Sequence, residues 1–435
     1  MEIIKLAIPL TLSRIGEIIL SFLYFSFIGH IFVNTLEEAS IAWALVSFLT
    51  VLGIGFFSPL VVRVAGASVN NKAHSTAYLQ TTASLHYALA GGTIVALLAF
   101  AFLHASTPAG IISNHTPLLL LTSLPAIYIQ TVIFNFFNAT GKPKLEIIFT
   151  TSLNCSLLIY ITLTLWLSPS NTVLDFIVAY STLRWIHVGF VATLYYRELK
   201  KQNIALPSNT SKLLRYKNIF KDGVPMAVCF AGESAVYLII TLIAKTQENI
   251  SLPAYQASLH FMTFVYMVSI GSATATGILT ARDYKKELKR KFCIDFRNGM
   301  ICGAVLLMPL ITACLFFGDF IASLYTSDPE IKLDIAKCLT ASTPFLICEY
   351  IYIVTRSTLR SMLDFWIPTL MSIASLNFIG IGLIYSLIDT SPDPLLFIYY
   401  SLSFSSFILM LLLLWRFRAK YNQFSCNCAQ RMRED

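Results

Sequence analysis

Apolar residues run through this chain in long blocks separated by short polar stretches. Ile41 to Val62, Ala88 to Leu103, Leu118 to Phe137, Ile147 to Leu167 and Leu395 to Trp415 are examples. Each approaches or exceeds the ~20 residues that a helix needs to cross a hydrocarbon core about 30 Å thick. Barrel strands of about ten residues are too short to account for them. A backbone in lipid must satisfy its own hydrogen bonds, which a helix does within one segment. The pattern predicts helices at about 3–28, 41–64, 78–103, 117–138, 146–167 and 173–196, then 219–244, 252–280, 293–317, 335–360, 366–388 and 395–417. The expected fold class is an all-α polytopic membrane protein of about twelve transmembrane helices. The first block contains Arg14 and Glu17 and shows no small-residue cleavage site, so it reads as the first membrane helix and not as a cleaved signal.

Composition agrees with this pattern. The chain of 435 residues is 56% hydrophobic and only 12% charged. A soluble domain keeps roughly a quarter of its residues charged, so this chain cannot cover a water-facing surface and its solvent must be lipid. The nine cysteines are scattered, mostly inside the predicted helices, and Cys426 and Cys428 have a one-residue spacing that suits neither zinc nor a redox dithiol. No metal site is expected.

Positive charge alternates with the predicted spans. Lys72, then Lys142 and Lys144, then the run from Arg197 to Lys221, then the run from Arg282 to Lys291, then Arg360 fall after the even-numbered helices. Loops after helices 1, 3, 5 and 11 carry no Lys or Arg. The positive-inside rule then puts both termini in the cytoplasm of a cell (inner) membrane. The net charge of +8 is a topological signal. Its basic runs suit anionic lipid headgroups and require no nucleic-acid partner.

The two halves resemble each other. Pro9 and Glu17 recur as Pro225 and Glu233, both displaced by 216 residues (225 − 9 and 233 − 17), and Gly55 and Gly271 share that offset. Six helices per half bring the second half into the membrane from the same side as the first. The expected architecture is two six-helix lobes related by a pseudo-two-fold axis along the membrane normal. The expected domains are an N-terminal lobe at 1–200, a cytoplasmic linker at 201–218, a C-terminal lobe at 219–417 and a cytoplasmic tail at 418–435.

Charge inside a membrane is costly and marks candidate sites. Arg14 and Glu17 share a face of helix 1, three residues apart, and suit an ion pair. Arg184 in helix 6 either pairs with Glu17 or points into a central cleft. Glu233 in helix 7 has no base within one turn of its own helix, and Glu349 in helix 10 lies two turns from Arg356. A carboxylate without a partner at that depth suits a proton carrier or a cation ligand. His260 in helix 8 belongs to the same half.

Several stretches, in order along nearly the whole chain, resemble the multidrug and toxic compound extrusion (MATE) family. They are Leu6 to Ser13, Phe27-Ile28-Gly29-His30, Gly141-Lys142-Pro143, Gly223-Val224-Pro225 through Glu233, Ala254-Tyr255-Gln256-Ala257, and Leu359-Arg360 through Asp364. The resemblance implies export of small organic compounds by proton or sodium antiport through an alternating cleft, by a monomer without a cofactor. Glu233 and Glu349 fall on the acidic positions that the family links to the coupling cation. Glu17, Tyr24, Arg184, Gln256 and His260 are the expected cleft residues. The chain departs from the pattern at Tyr24, where many members carry an Asp, which shifts the expected coupling site to the C-terminal lobe. His260 stands where an Asn is common, and the family's Arg-Gly-x-Gly-Asp reads Arg360-Ser361-Met362-Leu363-Asp364. A lipid-linked oligosaccharide flippase is the alternative function. No catalytic cluster marks an enzyme, and no filter motif marks a channel.

Overall fold

The computed structural model describes residues 2–31, 36–67, 74–106, 116–167, 173–201, 210–247 and 250–434. These residues form α1 (Glu2–Ile31), α2 (Leu36–Phe57), α3 (Pro59–Ala67), α4 (His74–Ser106), α5 (Thr116–Leu121), α6 (Leu124–Ala139), α7 (Lys144–Leu167) and α8 (Val173–Lys201). The second set is α9 (Thr210–Thr246), α10 (Leu252–Lys285), α11 (Lys289–Phe316), α12 (Gly318–Ser323), α13 (Pro329–Ser361), α14 (Trp366–Ser372), a π-helical stretch (Ile373–Ile381), α15 (Gly382–Leu387), a short 3-10 turn (Ile388–Thr390) and α16 (Pro394–Glu434). Among the described residues, eleven stretches are long and apolar enough to cross a membrane. With α1 they match the twelve expected spans, and the protein is an all-helical, multi-pass membrane protein.

Local chemistry explains where single spans are broken. Pro59 lacks an N–H, so α2 stops at Phe57, and the Ser58 hydroxyl donates to the Gly55 carbonyl at 2.8 Å across the break. Pro125 acts in the same way at the start of α6, where Ser123 donates to the Leu120 carbonyl at 2.6 Å. The loop that follows α6 turns through Gly141 at φ 89°, a conformation that glycine adopts without strain.

Contacts divide the chain into two compact units, one of Met1–Ile15 with Val228–Asp435 and one of Gly16–Ala227. In the first, α1 lies directly against α10. A Cβ added to Gly271 would sit 2.7 Å from the Thr11 backbone nitrogen, so only glycine permits this approach. In the second, the start of α9 lies against the end of α2. A Cβ at Gly223 would sit 2.8 Å from the Phe56 carbonyl oxygen. The two glycines that permit these contacts, Gly271 and Gly223, are not themselves an offset pair, since 271 − 216 is 55. An ion pair accompanies each contact. Arg282 reaches Glu2 at 3.3 Å, and Arg63 Nε donates to Asp222 at 2.5 Å.

Candidate functional site

Four residues of α9 recur every fourth position and share one face: Cys229, Glu233, Tyr237 and Thr241. On α13, Glu349, Tyr352, Arg356 and Arg360 follow steps of three and four. These two faces build a charged cluster inside the unit that contains both. Arg356 holds Glu233 in a bidentate pair, with Nη1 donating to Oε1 and Nη2 to Oε2, the latter at 3.1 Å. Nη1 also donates to the Ser372 hydroxyl at 3.2 Å and to Cys229 Sγ at 3.3 Å. The Arg356 side chain is 2% exposed and that of Glu233 11%, so the pair is largely removed from solvent. Two parallel charge-assisted bonds are the geometry that offsets such desolvation.

Glu349 lies two turns before Arg356 on the same helix and is buried. The hydroxyls of Tyr237 and Tyr352 stand near its carboxyl. Among the described residues no Lys or Arg forms a salt bridge with it; Arg356 turns to Glu233 instead. Arg360 sits one turn further along α13, with its guanidinium carbon 5.3 Å from the Phe230 ring centroid. The cluster therefore contains one closed ion pair and one carboxyl whose neighbours are hydroxyls. Such a carboxyl can take up and release a proton or a small cation.

The π-helical stretch begins directly after Ser372, the residue that bonds Arg356. It packs against α9 beside Glu233. A Cβ at Gly232 would lie 3.4 Å from both Asn377 and Ile373. π-helical turns are rare and are frequently found at functional sites.

The structure brings Glu233 and Glu349 together in one unit. Gln256 lies in the exposed first turns of α10 and donates to Thr241 at 3.4 Å. His260, one turn on, bonds the Tyr325 hydroxyl at 3.0 Å. Neither touches the ion pair. Glu17 is half-buried in α1, where its carbonyl accepts from Ser21 at 3.3 Å. Arg184 does not pair with Glu17; it bonds Tyr180 and Gln130 in the interior of the Gly16–Ala227 unit. Tyr24 lies in α1, and its side chain is outside the described ones. Arg356, Ser372, Tyr237 and Tyr352 were not expected at the site. The three-and-four spacing of polar residues on α9 and α13 is the signal that marks Arg356, Tyr237 and Tyr352, but not Ser372.

The chain is similar to known proteins. The MatE family profile matches residues 225–386, which include Glu233, Glu349 and Arg356. A probable multidrug resistance protein NorM of Buchnera aphidicola is 22% identical over 413 residues, covering 89% of this chain and 90% of its own. Another, from Bacillus cereus, is 22% identical over 415 residues, covering 89% and 88%. Among solved structures, a eukaryotic MATE transporter superposes with a TM-score of 0.83 at 15% identity, covering 97% of both chains. A transporter of the MOP superfamily from Pyrococcus furiosus, described as having a binding pocket of reverse polarity, gives 0.85 at 13%, covering 98% of this chain and 96% of that one. These superpositions concern the fold.

Proposed function

We propose that this chain is a member of the multidrug and toxic compound extrusion family and a secondary exporter that exchanges a proton or a sodium ion for small organic compounds by alternating access. The relatives named as multidrug resistance proteins support export of several compounds. Placement in the cell (inner) membrane with both termini cytoplasmic follows the alternation of positive loops, and the protein acts as a monomer.

The observation that carries the coupling mechanism is the juxtaposition of the Glu233–Arg356 pair with Glu349. A bare carboxylate at this depth is too costly to persist. Arg356 neutralises Glu233, and Glu349 is neutralised by the coupling ion, either as a proton or as a sodium ion shared with hydroxyl oxygens. An antiporter needs a site whose affinity differs between its two facing states. Glu349 meets that need because its neighbours come from two helices, so a small shift of α9 against α13 changes its ligands. Glu233 and Glu349 thus act as one coupling unit, with Glu349 exchanging the ion and Glu233 fixing the counter-charge.

The test uses the full-length protein in proteoliposomes under an imposed pH or sodium gradient. Wild type moves a fluorescent organic dye down the exchange gradient. Glu349→Gln keeps the shape of the side chain and removes its charge, and it lowers gradient-driven transport at least tenfold, about 1.4 kcal/mol read as a barrier. Gradient-independent transport by wild type, or an unchanged ion dependence in Glu349→Gln, would overturn the assignment.

A further inference from the structure

The described residues include two buried arginines, Arg184 and Arg356. Arg356 has a carboxylate. Arg184 has none. Its Nε donates to the Tyr180 hydroxyl at 3.1 Å, and its Nη1 donates to the Gln130 side-chain oxygen at 3.2 Å. Its guanidinium carbon stands 5.4 Å from the Tyr180 ring centroid. All three groups are neutral. A guanidinium presents five N–H donors, and these contacts use two of them.

Position makes this unusual. Arg184 falls in the middle of the membrane span Leu174–Lys201 and is 7% exposed. It lies too far from either end of the helix to reach a headgroup. Its face of α8 is the inward one, shared with buried Tyr180, Ser181 and Val188, while Val178, Trp185 and Ile186 point outward. Nη2 makes no hydrogen bond among the described residues. Tyr180 takes the Nε–H and Gln130 takes one N–H of Nη1, which leaves both N–H groups of Nη2 and one of Nη1 without a partner among the described residues.

We infer that Arg184, oriented by Gln130 and Tyr180, is an anion-recognition point of the transported substrate, and that the substrates carry a carboxylate or phosphate. The inference rests on the exporter reading given above. The end of the guanidinium, Nη2 with the remaining N–H of Nη1, offers donors in the planar arrangement that a carboxylate or phosphate accepts and that a lysine lacks. A buried cation that lacks a protein counter-ion gains most from a substrate that brings one. The site would also favour zwitterions over simple cations, because an added positive group leaves the anion's contact intact.

Rhodamine B, which carries a free carboxylate, and its ethyl ester, which does not, are matched probes. Binding of each to the purified full-length protein is measured by fluorescence anisotropy without any ion gradient, so the result does not depend on coupling. The acid is expected to bind at least tenfold more tightly than the ester. That ratio is expected to collapse at least tenfold in Arg184→Gln and to recover in part in Arg184→Lys, with size-exclusion profiles confirming folded protein. Equal binding of acid and ester, or a ratio that survives Arg184→Gln, overturns the inference. So does absence of binding by both dyes together with no thermal stabilisation by benzoate or phenyl phosphate. Displacement of the acid by equimolar phosphatidylglycerol assigns the site to a lipid phosphate and also overturns it. Discrimination between the dyes without gradient-driven transport would instead remove the exporter reading and leave an anion-binding site.

Discussion

Glu233 on α9 and Arg356 on α13, 123 residues apart in the chain, close a two-bond ion pair inside the membrane-spanning part of the protein. The pair changes what a substitution at Glu233 means. Neutralising the carboxylate also strands a guanidinium that is 2% exposed.

Removing either partner alone should therefore destabilise the protein by about 3–5 kcal/mol, because an uncompensated buried charge remains. Glu233→Gln and Arg356→Met should each lower the thermal unfolding midpoint of purified protein. The double variant should recover most of that loss. A double variant as unstable as the sum of the singles would show that the two side chains act independently.

The second prediction concerns Leu363, which stands at φ 60°. It closes α13 in the manner of a Schellman turn, with Leu363 N–H bonding the Arg360 carbonyl at 2.9 Å and Asp364 N–H bonding Leu359 at 3.1 Å. This position favours glycine, since a side chain in the left-handed region costs roughly 1–2 kcal/mol. Leu363→Gly should stabilise the protein by about 1 kcal/mol after the greater freedom of glycine in the unfolded chain is allowed for. Asp364 should keep its 2.8 Å bond with Arg416. A lower unfolding midpoint for Leu363→Gly would contradict this account.

Two glycines should respond in opposite directions. Gly271→Ala drives a methyl group into the Thr11 backbone and should cost about 1–3 kcal/mol. Gly189 in α8 has nothing within 4 Å of its would-be Cβ. Gly189→Ala should be neutral or stabilising by about 0.4–1 kcal/mol. Thermal unfolding of the two variants side by side checks the contrast.

Orientation is tested by single cysteines in a cysteine-free background. A membrane-impermeant maleimide applied to intact cells should label position 393 and leave position 286 unlabelled until the cells are opened. Labelling of position 286 from outside would reverse the orientation.

The helices were legible in the sequence because membrane spans announce themselves by length and apolarity, which need no knowledge of the partners. The offset that links Pro9 to Pro225 and Glu17 to Glu233 disclosed the repeat for the same reason. The breaks at Pro59 and Pro125 merge into single blocks when hydropathy is averaged, so α2 with α3, and α5 with α6, read as one span each. At the site, Glu233 and Glu349 were legible as charges in hydrocarbon. Arg356 was judged by its distance from Glu349 along α13, and a linear reading cannot see that it faces a different helix. Ser372 gave no sign, because its place depends on how α14 approaches Arg356.

The stretch Ile373–Ile381 has a consequence for the geometry of the helix beyond it. A π turn is what an α-helix becomes when it must absorb an extra residue without breaking, and each absorbed residue turns everything downstream by about 100°, given 3.6 residues per α-helical turn. Gly382–Leu387 therefore follows at a different rotational phase from the one an uninterrupted α-helix from Trp366 would give it. Deleting one residue between Ile373 and Ile381 would turn that segment by about 100° while leaving Ser372 upstream, beside Arg356.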